Sequence, residues 1–288
     1  MPAYITRRAA LAGVLMPWAA AHATAGDDAK TRLAQLEAAS GGRLGVAALD
    51  TGSGARIEHR AGERFAMCST FKFLAAAFIL ARVDRNEERL ERRITFAESD
   101  LVTYSPVTKA HAGAKGMSVA EICEAAVTVS DNTAANLLLS SFAGPAGLTA
   151  FVRSLGDDVT RLDRIETALN EATPGDPRDT TTPGAMLETM RKLVLGDVLS
   201  ATSREQLAAW LIASKTGGKR LRAGFPKDWR VGDKTGTGGH GATNDIAVAW
   251  PPGRAPIVVA AYYAEAPGSA EARDAVLEAV GRIVAAGL

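Results

Sequence analysis

The chain has 288 residues, 47% of them hydrophobic, which is enough for one large domain or two closely packed domains with a sizeable core. Lys and Arg number 33 and Asp and Glu 32, so the charge balance gives no indication of a nucleic-acid partner. The four histidines are scattered singly, whereas a zinc site needs three or four clustered ligands. Neither a metal nor another cofactor is therefore expected.

The first 25 residues are typical of a cleaved export signal. Arg7 and Arg8 precede a stretch rich in Ala and Leu, and residues 23–25 (ATA) have the small-x-small form of a signal-peptidase site. The arginine pair also suits a twin-arginine signal, which leaves the export route, Sec or twin-arginine, open. No cysteine precedes Cys68 and no later apolar run is long enough to span a bilayer, so we expect a periplasmic or secreted protein without a membrane anchor.

Strands are predicted near both ends of the exported chain, and helices between them. A hairpin is predicted in residues 43–60 with its turn at 51–54, and three successive strands are predicted in residues 229–238, 244–250 and 256–264. One helix is predicted to start near Asp27 and another to cover residues 269–288. Between the two groups of strands, from Ser69 to about Thr216, the helical periodicity is nearly continuous.

These elements predict an α/β fold of the α+β type. An antiparallel five-stranded sheet would be flanked by the N- and C-terminal helices, with an all-helical lobe inserted. Residues 26–68 and 217–288 would form the α/β lobe, and residues 69–216 the all-helical lobe. Because clefts form at such lobe boundaries, we expect the functional site there.

Residues 164–179 (RIETALNEATPGDPRD) do not fit the helical pattern. They contain two prolines, a glycine and many polar groups without a clear period, which is typical of a compact loop packed on its own side chains. Arg164 and Asp179 lie at its two ends, where they are predicted to form an ion pair.

A serine and a lysine lie three residues apart at the start of an apolar run. On a helix that begins near Ser69, the side-chain tips of Ser69 and Lys72 can meet because residues i and i+3 share a face. Burial disfavours the ammonium form and lowers the pKa of a lysine, which would let Lys72 accept the hydroxyl proton of Ser69. A helix-capping serine followed by a lysine whose amine reaches solvent explains the same pair.

Two further short motifs also have a chemical and a structural interpretation. The SDN stretch at 130–132 lies between two helical patterns, where all three residue types favour a helix N-cap. In the KTGTG stretch at 234–238, the glycines would let a ligand lie close to a strand edge, while the lysine and the two hydroxyls would hold an anionic group. Glycines near a strand end equally suit a simple turn.

The three motifs together, in the order SxxK, SDN and KTG, resemble the class A serine β-lactamases. The stretches YSPVT at 104–108, SDNTAANLLL at 130–139 and GDKTGTGG at 232–239 are also similar to this family, and the resemblance covers essentially all of the exported chain. It implies that the β-lactam amide bond of penicillins and cephalosporins is hydrolysed through a serine acyl-enzyme, which confers antibiotic resistance. It also implies a monomer that needs no cofactor.

The resemblance implies a role for each residue in acylation. Ser69 would attack the β-lactam carbonyl, and its backbone N–H with that of Thr237 would form the oxyanion hole. Lys72 would assist in removing the serine proton. Ser130 would pass a proton to the departing ring nitrogen, with the positive charge of Lys234 beside it.

For deacylation, the RxExxLN pattern of the loop implies that Glu166 activates a water molecule held between Glu166 and Asn170. Whether Glu166 or Lys72 is the base for acylation is disputed for the family. Asn132 would bind the side-chain amide of the substrate and Tyr104 would line the cleft mouth. The remaining residues implied in substrate binding are Arg220, Lys234, Thr235, Gly236 and Thr237.

Two departures from the family pattern affect the loop and the carboxylate site. Thr167 follows the loop glutamate where many members have proline, which leaves open whether the Glu166–Thr167 peptide is cis. Thr243 stands where many relatives carry a carboxylate-binding arginine. Arg220 matches an alternative arginine of some members and is given that role, since a guanidinium group suits a carboxylate partner.

A third departure concerns the cysteines. Some carbapenem-hydrolysing relatives link the residue before the nucleophile to the position that Gly238 occupies here, so Cys68 has no such partner. Cys123 also lacks the partner that it has in other relatives. We therefore expect two free, mostly buried thiols that behave as small hydrophobic side chains.

Three alternatives to a hydrolase are considered. A penicillin-binding DD-peptidase shares the nucleophile chemistry, but Glu166 within its pattern and the lack of an anchor argue against it. A non-hydrolytic β-lactam sensor domain would normally be joined to a signalling segment. An exported binding protein would leave the joint presence of the motifs unexplained. The substrate spectrum and the susceptibility to inhibitors are not readable from the sequence.

Overall fold

The structure, a computed structural model, describes Met1 and the backbone of residues 18–288, with side chains from Asp27 onward except Ala114. Most of the predicted export signal, residues 1–25, lies outside these residues. Within the described chain, no single helix is both long and apolar enough to cross a membrane, although the bent pair Asn132–Ser140 and Gly144–Ser154 reaches that length and hydropathy when the two helices are counted together.

The strands at the two ends of the chain form one antiparallel sheet of five strands in the order β2-β1-β9-β8-β7. The predicted hairpin and the three predicted C-terminal strands are all confirmed. Every strand is paired with its neighbour in an antiparallel register. The strands are β1 (Arg43–Asp50), β2 (Arg56–His59), β7 (Arg230–Thr237), β8 (Thr243–Trp250) and β9 (Ile257–Ala264).

Helices of both termini cover one face of this sheet. Helix α1 (Trp18–Ser40) packs against α9 (Ala270–Gly287), and the short α8 (Leu221–Gly224) also packs on α9. Their apolar side chains form one core with alternate strand residues, among them Leu33, Val46 and Leu277. This arrangement confirms the predicted sheet flanked by terminal helices.

The middle of the chain supplies six helices and a second apolar core. Helix α2 lies at its centre, in contact with α3, α4, α5 and α7, and ten of its fourteen residues are buried. Helix α6 packs on the second face of the sheet, against β1 and β9. The six helices are α2 (Phe71–Asp84), α3 (Val119–Thr128), α4 (Asn132–Ser140), α5 (Gly144–Ser154), α6 (Pro183–Leu195) and α7 (Ala201–Ile212).

Short strands that the helical periodicity does not reveal lie within the middle segment and just before it. Strand β3 (Phe65–Ala66) pairs with β6 (Thr180–Thr181), and β4 (Arg93–Phe96) pairs with β5 (Gly113–Ser118). Ladders of two residues, or ladders interrupted by a register shift, are too short to produce a readable alternation. The β3–β6 ladder joins the segment before Ser69 to the end of the 164–179 loop.

The loop of residues 164–179 is closed by the predicted ion pair, in which Arg164 Nε lies 2.6 Å from Asp179 Oδ2. Asp179 is completely buried. Its backbone N–H also donates to Asp163 Oδ2, and its own Oδ1 accepts from the backbone N–H of Asp163, at 3.0 and 2.7 Å. The Glu166–Thr167 peptide is cis. The loop therefore has a fixed base, from which Glu166 projects toward the lobe boundary.

Candidate active site

Ser69 and Lys72 lie on one face of the N-terminus of the central helix, as predicted. Ser69 is in a 3₁₀ turn, Cys68–Thr70, that runs directly into α2. Lys72 Nζ donates to Ser69 Oγ at 2.9 Å, and Lys72 is completely buried. The amine therefore does not reach solvent. This excludes the alternative in which Ser69 only caps the helix and the amine of Lys72 extends into solvent.

Oxygen atoms surround the amine of Lys72. Its three hydrogens are shared among Ser69 and three further acceptors, the Ser130 carbonyl at 2.9 Å, the Ser130 hydroxyl at 3.3 Å and Asn132 Oδ1 at 2.6 Å. Glu166 Oε1 lies 2.9 Å from the same nitrogen. Burial lowers the pKa of Lys72 below its ordinary value, and the negative charge of Glu166 opposes that shift.

The SDN stretch is held in place by its middle residue. Asp131 caps helix α4 by accepting from the Ala134 N–H at 2.9 Å, and its other oxygen accepts from the N–H groups of Val107 and Thr108, each at 2.9 Å. Ser130 has a positive φ of 61°. The N-cap interpretation is thus correct for Asp131, and this cap directs Ser130 and Asn132 into the cleft.

A second buried lysine lies on the sheet side of Ser130. Lys234 Nζ donates to the Ser130 hydroxyl at 3.0 Å and to the Thr235 carbonyl at 2.8 Å. Burial, together with the nearby charge of Lys72, lowers the pKa of Lys234 well below its ordinary value. Because the Ser130 hydroxyl oxygen accepts from both lysines, its own proton is free to point into the cleft.

Glu166 is 3% exposed and contacts both Ser69 and Lys72. The Ser69 hydroxyl donates to Glu166 Oε1 at 3.3 Å, and Asn170 Nδ2 donates to Glu166 Oε2 at 2.5 Å. Asn170 Oδ1 is buried and has no hydrogen-bond partner among the described residues. Residues of the helical lobe and of the loop thus converge on one hydroxyl.

The edge of β7 borders the site opposite helix α2. A Cβ added at Gly236 would lie 2.6 Å from the Met67 carbonyl oxygen, and one at Gly238 would lie 2.6 Å from both the Asn170 carbonyl oxygen and Cys68 Sγ. Both distances are too short for any side chain. The two glycines therefore let the strand edge approach the segment before Ser69 and the 164–179 loop.

Arg220 lies beside this strand edge, where the sequence places the carboxylate-binding cation. Its guanidinium donates to the carbonyls of Gly236 (2.9 Å) and Asn244 (2.8 Å), to Thr237 Oγ1 (2.8 Å) and to Asp274 Oδ1 (2.7 Å). These bonds use four of its five N–H donors. Because the Thr237 oxygen accepts from Arg220, the Thr237 hydroxyl proton remains available to an anionic ligand.

The remaining predicted residues lie at the mouth and floor of the cleft. Tyr104 is 57% exposed at the mouth, and its carbonyl accepts from the Asn132 N–H at 3.0 Å. Asn132 Nδ2 donates to the Thr103 carbonyl at 2.8 Å, which leaves one amide hydrogen for a ligand. Thr235 Oγ1 donates to Thr216 Oγ1 at 2.6 Å. Every residue predicted from the sequence is thus brought to this boundary.

Two residues at the boundary carry contacts that the sequence did not indicate. Asn136 exchanges two hydrogen bonds with the backbone of Glu166, and Asn244 donates to the backbone just before Ser69. Asn136 lies four residues after Asn132 on helix α4, so helical spacing was the one available signal for it. Nothing in the sequence marks Asn244.

The predicted free thiols are confirmed. Cys68 and Cys123 are both unpaired and completely buried, and burial raises the pKa of Cys68 to about 12 and that of Cys123 still further. Neither thiol is therefore an available thiolate near neutral pH. Among the described residues, no group of three or more His, Cys, Asp or Glu side chains is arranged to hold a metal ion.

Comparison with known proteins gives consistent matches over most of the chain. A model of the "Beta-lactamase enzyme family" matches residues 28–288. Beta-lactamase AST-1 of Nocardia asteroides is 53% identical over 89% of this chain and 82% of its own length, and Beta-lactamase CTX-M-8 of Citrobacter amalonaticus is 49% identical over 91% and 89%. The structure of an ancestral (GNCA) class A β-lactamase is 68% identical, covers 89% of this chain and 98% of its own, and superposes with a TM-score of 0.88.

Proposed function

The chain belongs to the class A serine β-lactamases, and from this premise we propose how its residues hydrolyse the β-lactam amide bond. Hydrolysis of that bond inactivates the antibiotic and confers resistance on the cell. The single observation that supports the roles below is the position of the Ser69 hydroxyl, 2.9 Å from Lys72 Nζ and 3.3 Å from Glu166 Oε1 in a buried site.

In acylation, Ser69 Oγ attacks the β-lactam carbonyl carbon and the C–O bond of the acyl-enzyme forms. The Ser69 proton passes to one of the two groups within reach, Lys72 or Glu166. The carbonyl oxygen becomes negative in the tetrahedral intermediate, and the N–H groups of Ser69 and Thr237 stabilise it. Burial favours this step, since it keeps the Lys72 pKa low and strengthens each hydrogen bond.

Collapse of the intermediate breaks the C–N bond, and the ring nitrogen then needs a proton. Ser130 supplies it, because its hydroxyl oxygen is held by two ammonium groups and its proton faces the cleft. Lys72, which also contacts Ser130, replaces the proton that Ser130 gives up. Where Glu166 has taken the Ser69 proton, it passes that proton to Lys72, 2.9 Å away, and is again a carboxylate for the next step. The charge of Lys234 lowers the cost of the transient negative charge on Ser130.

In deacylation, Glu166 removes a proton from a water molecule that attacks the ester carbonyl of the acyl-enzyme. Asn170 holds this water with Glu166, and the unpaired Asn170 Oδ1 supplies an acceptor aimed into the site. The C–O bond to Ser69 then breaks, and the proton returns to Ser69 Oγ. A carboxylate beside the nucleophile also distinguishes a hydrolase from a DD-peptidase or a sensor domain, in which the acyl-enzyme persists.

Substrate binding is divided between the two sides of the cleft. Asn132 donates its free amide hydrogen to the side-chain carbonyl of the substrate, and Tyr104 covers the mouth. On the sheet side, Thr237 and Arg220 hold the substrate carboxylate, Thr235 joins them when its hydroxyl turns from Thr216 to the ligand, and Gly236 allows the carboxylate to approach the strand. We propose a small-molecule β-lactam as the only substrate class and a monomeric protein without a cofactor.

We also propose that the protein is exported to the periplasm or secreted after cleavage of residues 1–25, and that it carries no membrane anchor. The two lobes, residues 26–68 with 217–288 and residues 69–216, would then meet at the active site. Fractionation and mass measurement of the mature N-terminus would test both the location and the cleavage point.

The mechanism is tested by mass spectrometry of the protein mixed with benzylpenicillin. The parent should turn over with only a transient adduct, and Glu166→Ala should form a stable adduct of one penicilloyl group on Ser69. Rapid acylation of that variant would also show that Lys72 suffices as the base for the first step. Glu171→Ala is the matched control, because Glu171 is an exposed carboxylate of the same loop. Turnover of Glu166→Ala at the parent rate would refute the role of Glu166.

A further inference from the structure

Asn244 joins the sheet to the segment that carries the nucleophile. Its side chain is 1% exposed, and its Nδ2 donates to the backbone carbonyls of Ala66 at 2.9 Å and Met67 at 3.2 Å. The Met67 carbonyl also accepts from the N–H and the hydroxyl of Thr70, at 3.1 and 2.9 Å. Both amide hydrogens of Asn244 are therefore directed at the turn that contains Ser69.

Asn244 belongs to a row of residues that crosses four strands. Its register partners are Gly236 on β7 and Tyr262 on β9, and Tyr262 is in turn opposite Gly45 on β1. The Tyr262 hydroxyl lies 3.2 Å from that of Thr70 and is completely buried. The two central members of the row thus make polar contacts to the nucleophile segment from adjacent strands.

The two outer members of the row are glycines, and each lies against the same segment. A Cβ at Gly236 would lie 2.6 Å from the Met67 carbonyl oxygen, and one at Gly45 would lie 2.4 Å from the ring of Phe65. Residues 65–70 therefore rest directly on the sheet, with one glycine against the Met67 carbonyl, the other against the Phe65 ring, and hydrogen-bonding side chains between them.

We propose that Asn244 is a positioning residue for Ser69. It sets the separation between the turn of Ser69 and the edge of β7, and hence between the two N–H groups, of Ser69 and Thr237, assigned to the oxyanion hole. The inference rests on the proposed function. Both donors must point at one oxygen atom, and a displacement of about 1 Å in such a site can cost about 100-fold in rate.

The test measures the oxyanion hole directly. In the Glu166→Ala background, Asn244→Ala should be acylated by benzylpenicillin about 10- to 100-fold more slowly than its parent. The ester carbonyl of the resulting acyl-enzyme should absorb at a higher infrared frequency, because misplaced N–H donors polarise it less. Phenylboronic acid, whose tetrahedral adduct on Ser69 places an oxygen in the same position, should bind the variant more weakly by a similar factor.

Further variants separate positioning from folding. Asn244→Asp keeps the shape but removes both donors and should lose as much as Asn244→Ala, whereas Asn244→Gln should recover part of the rate. If Asn244→Ala does not fold, Tyr262→Phe removes one contact of the same row and should show a smaller shift in the same direction. Tyr263→Phe is the control, since the hydroxyl of Tyr263 on the same strand as Tyr262 donates to the Ser40 and Gly41 carbonyls and not to residues 65–70.

The outcomes distinguish this inference from the proposed function. If the Glu166→Ala parent itself fails to accumulate the acyl-enzyme, the proposed function fails. If the parent accumulates it, but the Asn244 variants acylate at the parent rate with an unchanged carbonyl frequency, Asn244 is not a positioning residue. If the Asn244 variants unfold at a lower temperature but the infrared frequency of the acyl-enzyme carbonyl is unchanged, the inference is also overturned, because Asn244 then has only a structural role.

Discussion

Asn136 attaches the loop of Glu166 to helix α4, and replacing it by alanine tests whether turnover depends on that attachment. Its Oδ1 accepts from the Glu166 N–H and its Nδ2 donates to the Glu166 carbonyl, both at 2.9 Å. Because Glu166 is 3% exposed, Asn136→Ala leaves two poorly hydrated backbone groups without partners. Each unmade bond costs about 1–3 kcal/mol. The lower value applies here, since water can enter the space left by the side chain, and the total is about 2 kcal/mol.

A loss of about 2 kcal/mol lowers the equilibrium constant between the attached and the detached loop by a factor of about 30. We therefore expect deacylation to slow by up to about 30-fold, because the fraction of molecules with Glu166 beside the ester can fall by no more than this factor. Acylation should fall less, since Lys72 keeps its contact with Ser69. Rapid-quench mass spectrometry with benzylpenicillin measures both steps, and the acyl-enzyme should accumulate only in the variant.

Ser140→Ala is the control for this experiment. Ser140 is exposed on the same helix and its hydroxyl donates only to the Asn136 carbonyl, at 2.9 Å, so the variant should keep the parent rates. The reasoning is refuted if Asn136→Ala, folded but with a lowered unfolding temperature, turns over like the parent without accumulating an adduct. That result would mean that the other contacts of the loop hold Glu166 in place.

Three further predictions follow from single positions. Gly238→Ala should push the Asn170 backbone away from β7 and lower the stability by about 1–3 kcal/mol in thermal unfolding. It should also raise kcat/KM for a late cephalosporin relative to benzylpenicillin, and an unchanged ratio of the two kcat/KM values contradicts this prediction. Arg220→Lys should raise KM for benzylpenicillin about tenfold, because the hydrogen bond from Arg220 to the Thr237 hydroxyl is lost. An unchanged KM would show that Arg220 does not bind the substrate carboxylate. Asp245 is completely buried, and burial raises its pKa in the folded protein well above the ordinary value. Its contribution to the free energy of unfolding is therefore full below the pKa of the unfolded chain and is lost as the pH rises through the pKa of the folded protein. Asp245→Asn should therefore gain stability over the parent in urea unfolding as the pH rises above the ordinary pKa of an Asp carboxyl, and a pH-independent difference would contradict the buried titration.

The strands, the helices and the residues of the motifs were predictable because each has a local signal. An apolar run, a short alternating stretch and the turn residues between them mark β1 and β2, and the position of a lysine inside the apolar run of α2 marks Lys72. The contacts of Asn136 and Asn244 were not predictable, although helical spacing places Asn136 on the face of Asn132, because each acts on backbone groups that are distant in sequence and that any residue type supplies. A contact of this kind depends on the folded path of the chain, which the pattern of side chains does not record.

The two-residue ladder of β3 and β6 was missed for a related reason. Neither strand is long enough to show a period, and the pairing is stabilised by what surrounds it, including the bond from the Met67 N–H to the Asp179 carbonyl at 2.8 Å. The predicted ion pair of Arg164 with Asp179 was correct because opposite charges at the two ends of an irregular segment are a readable signal.

Strand β1 pairs with β9 along its whole length, with Arg43 opposite Ala264 and Asp50 opposite Ile257. Nearly the whole chain separates these partners, so the sheet cannot close until synthesis is almost finished. An incomplete chain would present unpaired strand edges and the apolar surface of α2 to proteases and to other nascent chains. A chain released before β9 and α9 are made would therefore lack the framework that holds KTG against the nucleophile, even though every catalytic side chain had already been synthesised.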